Sequence, residues 1–313
     1  MRAPEERGSE DDSGHSRTAS TRARASGPGA TSEAGSQPAR SSRRAFSAGL
    51  LGLAACGRRA SPPGGRAARI VSLSPSTTET LFALGAGERV VGRSRYCDHP
   101  PEVDRLPSVG GYVDPNLEAI LALRPDLVTG ARGPAGPALT ERLARLGIDT
   151  YFPPTESLAE IDGMLRGMGA RLGVDASGLA RGVAAELDAV RARAAGAPRR
   201  RALLLFGVTP IVAAGPGSFA DELLRLAGAE NVVAASTRVA YPTLDLERVI
   251  ALDPDVVLDA ATEEHGGDQL SAAWSAVRAV RERRVVALGD PVVLRPGPRV
   301  GRGAAKLAEA LRA

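Results

Sequence analysis

The chain has 313 residues and a formal net charge of +4. Eight arginines and six acids precede Cys56, leaving 32 basic and 30 acidic residues after it. A surplus of +2 over that length is no electrostatic footprint for nucleic acid, so a nucleic-acid partner is excluded.

Residues 1–42 are rich in Arg, Ser, Gly, Ala and Pro and show no apolar periodicity. Such a segment buries too little surface to offset its ordering entropy and is expected to be disordered. Next comes "SRRAFSAGLLGLAAC", with Arg43 and Arg44 before an apolar run from Ala45 to Ala55. The run is too short for a membrane-spanning helix and suits a signal-peptide core over 43–55. Ser42-Arg43-Arg44-Ala45-Phe46 partly resembles a twin-arginine signal, although Ser47-Ala48 replaces the usual Leu-Lys. Leu53-Ala54-Ala55-Cys56 resembles a bacterial lipobox, in which cleavage precedes the cysteine and the thiol is acylated. Cys56 is therefore the expected lipid anchor to the extracytoplasmic side of a bacterial membrane, and 56–68 a linker. The leader before the signal is longer than export requires, which fits either a disordered extension or a start codon further in. With Cys56 lipidated, Cys97 has no disulfide partner.

From residue 69 the pattern changes. "RIVSLS" (69–74) reads as a buried strand, followed by the helix and turn of "ETLFALGAGERVVG" (79–92). "NLEAILALRPDLV" (116–128) then gives a short helix, with Asn116 as cap, Leu117, Ile120 and Leu121 at helical spacing, and Pro125 before a strand. Both motifs return. "RALLLFGV" (201–208) is a strand, and "DELLRLAGAENVVA" (221–234) echoes the helix and turn, with "NVVAA" reading as a strand. "DLERVIALDPDVV" (245–257) matches 116–128 at seven of thirteen positions. Between the copies, Leu158, Ile161, Leu165, Met168 and Leu172 make one amphipathic helix. After Gly173-Val174-Asp175, Leu179, Val183, Leu187 and Val190 make a second.

Two such halves imply an α/β fold of two lobes with largely parallel sheets, 69–175 and 199–313, joined by a single long helix over 176–198. A ligand cleft is expected between the lobes, where strand-to-helix loops converge.

Chemistry-bearing residues are sparse. Tyr112 and Tyr241 each stand four residues before a repeated helix cap. Cys97, Asp98 and His99 cluster beside Tyr96, but the spacing fits no structural zinc pattern, and His99 and His265 are the only imidazoles after Cys56. No metal site is expected, although His99 or a tyrosine could serve as an axial haem ligand. "GPGSFADELL" has Gly215, Gly217 and Ala220 in dinucleotide-fingerprint register, which keeps a dinucleotide-dependent enzyme as an alternative. Pro216 lies inside that turn, and no acid suited to a ribose closes the next strand. There is no GxSxG or HExxH, and Lys306 is the only lysine, so no P-loop lysine exists. No enzyme and no cofactor are expected.

"RIVSLSPSTTETLFALG", "VGRSRYCDHPPEV", "LPSVGGYVDPNLEAILALRPDLV" and "RPGPRV" together resemble the substrate-binding proteins of ABC importers for vitamin B12, ferric siderophores and haem. These are the helical-backbone class of periplasmic binding proteins, and the pattern is nearest the cobalamin-binding branch. The resemblance covers 69–313 in order. It implies a monomeric, extracytoplasmic protein that binds cobalamin or a related corrinoid, or else a ferric siderophore or haem. Delivery would be to a permease and ATPase on other chains. It places Ser74, Tyr96, Tyr112, Ser218, Tyr241 and Arg295 at the cleft, with the tyrosines offering flat apolar rings to a macrocycle. It matches Glu118 and Glu247 to permease-docking carboxylates, although the helix dipole alone also favours an acid in a first turn. The tryptophan some cobalamin-binding relatives carry before "RPGPR" is absent. For Arg295 and Arg299, ion pairs that fix the loop are the alternative to ligand contact.

Overall fold

A computed structural model describes residues 67–111, 113–132, 136–261 and 272–312. Cys56, Tyr112, His265 and the signal segment lie outside the described residues. Each half begins with an apolar strand and builds a sheet around it. In the first, β1 (Ile70–Ser72) leads into α1 (Pro75–Ala83), β2 (Val90–Arg93), α2 (Leu117–Ala122), β3 (Leu127–Thr129), α3 (Gly136–Arg145) and β4 (Asp149–Tyr151). The strands run parallel in the order β2-β1-β3-β4. Because β1 and β3 are covered on both faces, they are buried at every position.

The second half follows helices α4 (Leu158–Leu172) and α5 (Ser177–Ala194). It comprises β5 (Arg200–Val208), β6 (Ile211–Ala213), α6 (Phe219–Leu226), β7 (Ala229–Asn231), β8 (Thr243–Leu244) and α7 (Leu246–Leu252). It ends with β9 (Val256–Asp259), α8 (Arg278–Arg281), β10 (Val285–Ala287) and α9 (Val300–Ala310). Here β10, β9, β5 and β7 are parallel, while β6 runs antiparallel to both β5 and β8. The two-residue link Thr209-Pro210 between β5 and β6 explains the reversal, since only antiparallel strands can be joined so tightly. The strand expected at "NVVAA" is shorter and earlier. Asn231 ends it, because its Oδ1 accepts the Val233 amide at 3.0 Å and turns the chain.

The helix that divides between the two cores is α4, not the segment 176–198. Ile161, Met164 and Leu165 pack in the core of the second sheet, while Met168 and Leu172 pack with Ile70, Leu81 and Leu127 of the first. Helix α5 lies wholly in the second core through Val183, Leu187 and Val190. The periodicity of both helices is amphipathic, so the pattern alone did not show which one changes partners along its length. At its start, the Ser157 hydroxyl accepts the Glu160 amide and the Leu158 amide donates to Glu222 of α6 at 2.9 Å. At its end, Gly173 takes the left-handed conformation (φ 66°) that a Cβ disfavours.

The repeated unit is tied down in the same way twice. Asp126 accepts the amides of Ala68 and Arg69, and Asp255 accepts that of Arg201. The guanidinium of Arg69 donates to the Leu123 carbonyl at 2.8 Å, and that of Arg201 to the Leu252 carbonyl at 2.8 Å. These arginines satisfy carbonyls at the C-terminal ends of α2 and α7, where a cation also suits the helix dipole. Arg124 and Asp253, at equivalent positions, both turn the chain with positive φ (49° and 43°) just before the repeated proline. The recurring Pro-Asp thus fixes how each short helix enters its sheet.

Candidate functional site

Tyr96 is 49% exposed, in the loop that follows β2. Its ring lies beside Gly111, where a Cβ would approach Tyr96 Cε2 to 2.9 Å, and the Arg95 guanidinium sits 5.4 Å from the ring centroid. Arg95 in turn pairs with Asp114. An exposed aromatic ring is therefore held between Arg95 and Gly111, with Asp114 fixing Arg95.

On the other half, Tyr241 is half-buried and packs edge-on against Phe206, with ring centroids 5.3 Å apart. Burial pushes its phenol well above the usual range, and the neighbouring Glu156 carboxylate adds to the shift. The hydroxyl is therefore a neutral hydrogen-bond donor at physiological pH. Its loop is fixed from below. The Gly215 amide donates to the Ala240 carbonyl at 2.8 Å, and a Cβ on Gly215 would overlap the Val239 carbonyl oxygen. Val239 itself is 56% exposed beside Tyr241.

Three other expected cleft residues are engaged in the framework. Ser74 caps α1, buried among hydroxyls, with its Oγ 2.9 Å from Thr77 Oγ1 and 3.1 Å from Ser76 Oγ. Ser218 caps α6, fully buried, donating to the Gly215 carbonyl at 2.8 Å and accepting the Asp221 amide at 3.1 Å. These bonds also correct the dinucleotide reading, because the turn is packed under the 239–242 loop rather than open to a phosphate. Arg295 gives its guanidinium to Asp98 (2.5 and 2.7 Å) and Glu79 (3.2 Å), so the protein's own carboxylates take the place of an anionic ligand group.

Sequence reasoning missed Glu79, which hides in "STTET" as an ordinary helical residue. Its carboxylate is buried and also receives Arg299, Nη2 at 2.6 Å and Nε at 2.9 Å. No local pattern marks it, because α1 is buried at six consecutive positions, Ser76 to Leu81, and has no apolar stripe for a charge to interrupt. Glu79 and Arg299 border a groove of about 920 Å³ lined also by Phe82, His99, Leu106 and Leu179. Among the described residues, neither Tyr96 nor Tyr241 lines that groove. Among the described residues no cluster of His, Cys, Asp and Glu could hold a metal ion. Cys97 is buried, which raises its thiol pKa, and it accepts a hydrogen bond from Thr78.

Glu118 and Glu247 are both exposed in the first turns of α2 and α7. The caps are equivalent, with Asn116 accepting the Ala119 amide at 3.0 Å and Asp245 accepting that of Arg248 at 2.7 Å.

The periplasmic binding protein family model matches residues 70–292. The chain belongs to this family. A vitamin B12-binding protein of Yersinia pseudotuberculosis serotype O:3 (strain YPIII) is 31% identical over 249 residues, 79% of this chain and 87% of that one. One from Salmonella typhimurium (strain LT2) is 36% identical over 196 residues, 62% and 73% of the two chains. Among solved structures, the periplasmic vitamin B12 binding protein BtuF of Vibrio cholerae is 28% identical with a TM-score of 0.68, covering 79% of this chain and 97% of its own. The periplasmic haem-binding protein RhuT from Roseiflexus sp. RS-1 is 30% identical with a TM-score of 0.66, covering 79% and 98%. The two-sheet architecture joined by α4 is thus that of periplasmic binding proteins.

The Arg295 guanidinium beside Asp98 holds its carboxyl below the usual carboxylate range. A carboxylate favoured by the fold adds stability above its unfolded pKa, near 3.9, and loses it as pH falls through the lower folded value. Arg295→Gln should therefore raise the Asp98 pKa toward about 3.9. Carbon-13 NMR of the side-chain carboxyl against pH measures it, and an unchanged or lower midpoint would contradict the pairing.

Proposed function

We propose that this protein is an extracytoplasmic solute-binding lipoprotein that captures cobalamin, or a related corrinoid, and delivers it to an ABC importer. The observation that carries this reading is the likeness to vitamin B12-binding proteins across 79% of the chain, at 31% identity. The site supports it. Tyr96 and Tyr241 offer aromatic rings from the two halves, and Tyr112, outside the described residues, stands at the repeat position equivalent to Tyr241. A corrin is flat, largely apolar and edged with amides, which suits amphipathic aromatic rings. We assign no catalytic step to the chain. Its partners are the solute, a permease with its ATPase, and the membrane through the lipid on Cys56, with the binding protein itself monomeric.

Haem is the second reading, favoured by the likeness to a haem-binding protein at 30% identity. Tyrosine hydroxyls or His99 would then supply an axial ligand. Ferric siderophores remain a third solute of the same class. Calorimetric titration of the purified protein with cyanocobalamin, haemin and a ferric siderophore separates them. With cyanocobalamin, Tyr112→Ala and Tyr241→Ala should each weaken binding roughly tenfold, the scale of a lost aromatic contact. Unchanged affinity in both, with intact circular dichroism, removes these rings from the site.

Anchoring has its own test. Cys56→Ser removes the acyl acceptor, so the variant should leave the membrane fraction and lose metabolic lipid label. Retention of both would refute the lipobox reading.

Docking falls to Glu118 and Glu247. Exposed ion pairs are worth about 0–1 kcal/mol, but a docked interface desolvates them, and truncation there can cost about 2–5 kcal/mol. The double substitution to Ala should leave cyanocobalamin titrations unchanged while reducing uptake and ATPase stimulation. Normal transport, or lost affinity, in that double variant would exclude a docking role.

A further inference from the structure

Two carboxylates of the first half, Glu79 and Asp98, receive guanidiniums from the second, and Glu79 alone receives two. Glu79 lies on α1, whose Leu81 packs in the first core, whereas Arg295 and Arg299 flank a loop whose neighbours Val292, Val293 and Val300 pack in the second. These partners lie 216 and 220 residues from Glu79 in sequence. Both guanidiniums are themselves mostly buried, at 12% and 17% exposure, and Glu79 is at 2%. Between the arginines, the Gly297 backbone sits on α1. A Cβ there would meet Ser76 Cα at 3.3 Å and its carbonyl oxygen at 3.4 Å. Arg295 continues outward to Asp98, two residues beyond Tyr96.

We propose that Glu79 is a positioning residue of the cleft, the fixed point of an interlobe clasp that sets the separation of its walls and the placement of the Tyr96 loop. The loop 295–299 straddles α1 and grips it by charge on both sides and by backbone contact in the middle. Displacing the loop leaves three charged groups without their partners in a largely dry contact, so the clasp has one low-energy position. Asp98 extends that restraint to the loop carrying Tyr96. The part concerning Tyr96 rests on the proposed solute site, whereas the part concerning lobe separation does not.

The test uses the full chain carrying Cys56→Ser, with nitroxide labels at Arg142→Cys on α3 and Arg193→Cys on α5, both exposed positions. Pulsed electron–electron resonance then reads the distance between halves without any solute. The parent should give a narrow distribution. Glu79→Gln should broaden it, and so should Arg295→Gln, which perturbs only the loop side if the first variant folds poorly. Arg295→Lys, which keeps the charge, should lie nearer the parent. Gly297→Leu should lengthen the mean distance with every charge intact, acting as a wedge against Ser76. In the same proteins, cyanocobalamin should dissociate faster from Glu79→Gln than from the parent. Folded Glu79→Gln and Arg295→Gln proteins with the parent's distance distribution would overturn the clasp. A parent that binds no cyanocobalamin would count against the proposed solute alone, because the distance measurement is made without it.

Discussion

A carboxylate buried to 2% exposure is the constraint around which the two halves are arranged. Removing an ion from water costs several kcal/mol even after relaxation, and only well-placed partners offset it. Glu79 finds those partners in the other half of the molecule, so the charge is satisfied only when the halves are in register. The consequence reaches the top of α1. In open α/β sheets, the strand-to-helix turn is a usual place for a ligand. Here that turn is filled by its own hydroxyls, Ser72, Ser74, Ser76, Thr77 and Thr78, and roofed by Gly297. The solute site proposed above lies further out, on the loops carrying Tyr96 and Tyr241.

The second half is sealed by a different device with the same effect. Its first strand-to-helix turn, 214–218, lies beneath the 239–242 loop, and the Gly215 amide and the Ser218 hydroxyl are both engaged within the protein. That cover follows from topology. The tight link from β5 to β6 reverses the chain, β8 pairs with β6, and the segment before β8 is thereby drawn across the turn. In the first half, α2 is approached through the isolated bridge Gly110–Pro115 instead. Two copies of one unit thus end in unlike loops, although their helices are capped and anchored alike.

The repeated helices, their caps, the prolines and the strand after each were legible because they rest on local rules: spacing of apolar residues, cap chemistry and chain stiffness. Glu118 and Glu247 were legible as equivalents because 116–128 and 245–257 align without a gap. The roles of Ser74, Ser218 and Arg295 were not. A serine before a helix reads equally as a cap or a ligand contact, and what decides is burial, a tertiary property. Arg295 is bound to residues some 200 positions away, which no local pattern encodes. The same limit hid the division of α4 between cores, since the stripe of Ile161, Leu165, Met168 and Leu172 is continuous while its partners change.

That shared helix and the buried carboxylate act together. A hinge would have to bend α4 between Leu165 and Met168, breaking backbone hydrogen bonds, and at the same time withdraw two arginines from Glu79. Gly167 lies at that point of α4 and eases its bending, so the restraint rests chiefly on the arginines held to Glu79. In the function proposed here, the walls therefore stand near their bound separation before the solute arrives, and little ordering cost opposes capture. The same economy makes release harder, because a fixed cleft has no open form to relax into. The free energy for release must come from outside, through whatever grips the two halves at once and forces them apart. In the docking role proposed above, Glu118 and Glu247, one on each half and each at the same turn of an anchored helix, would receive such a pull.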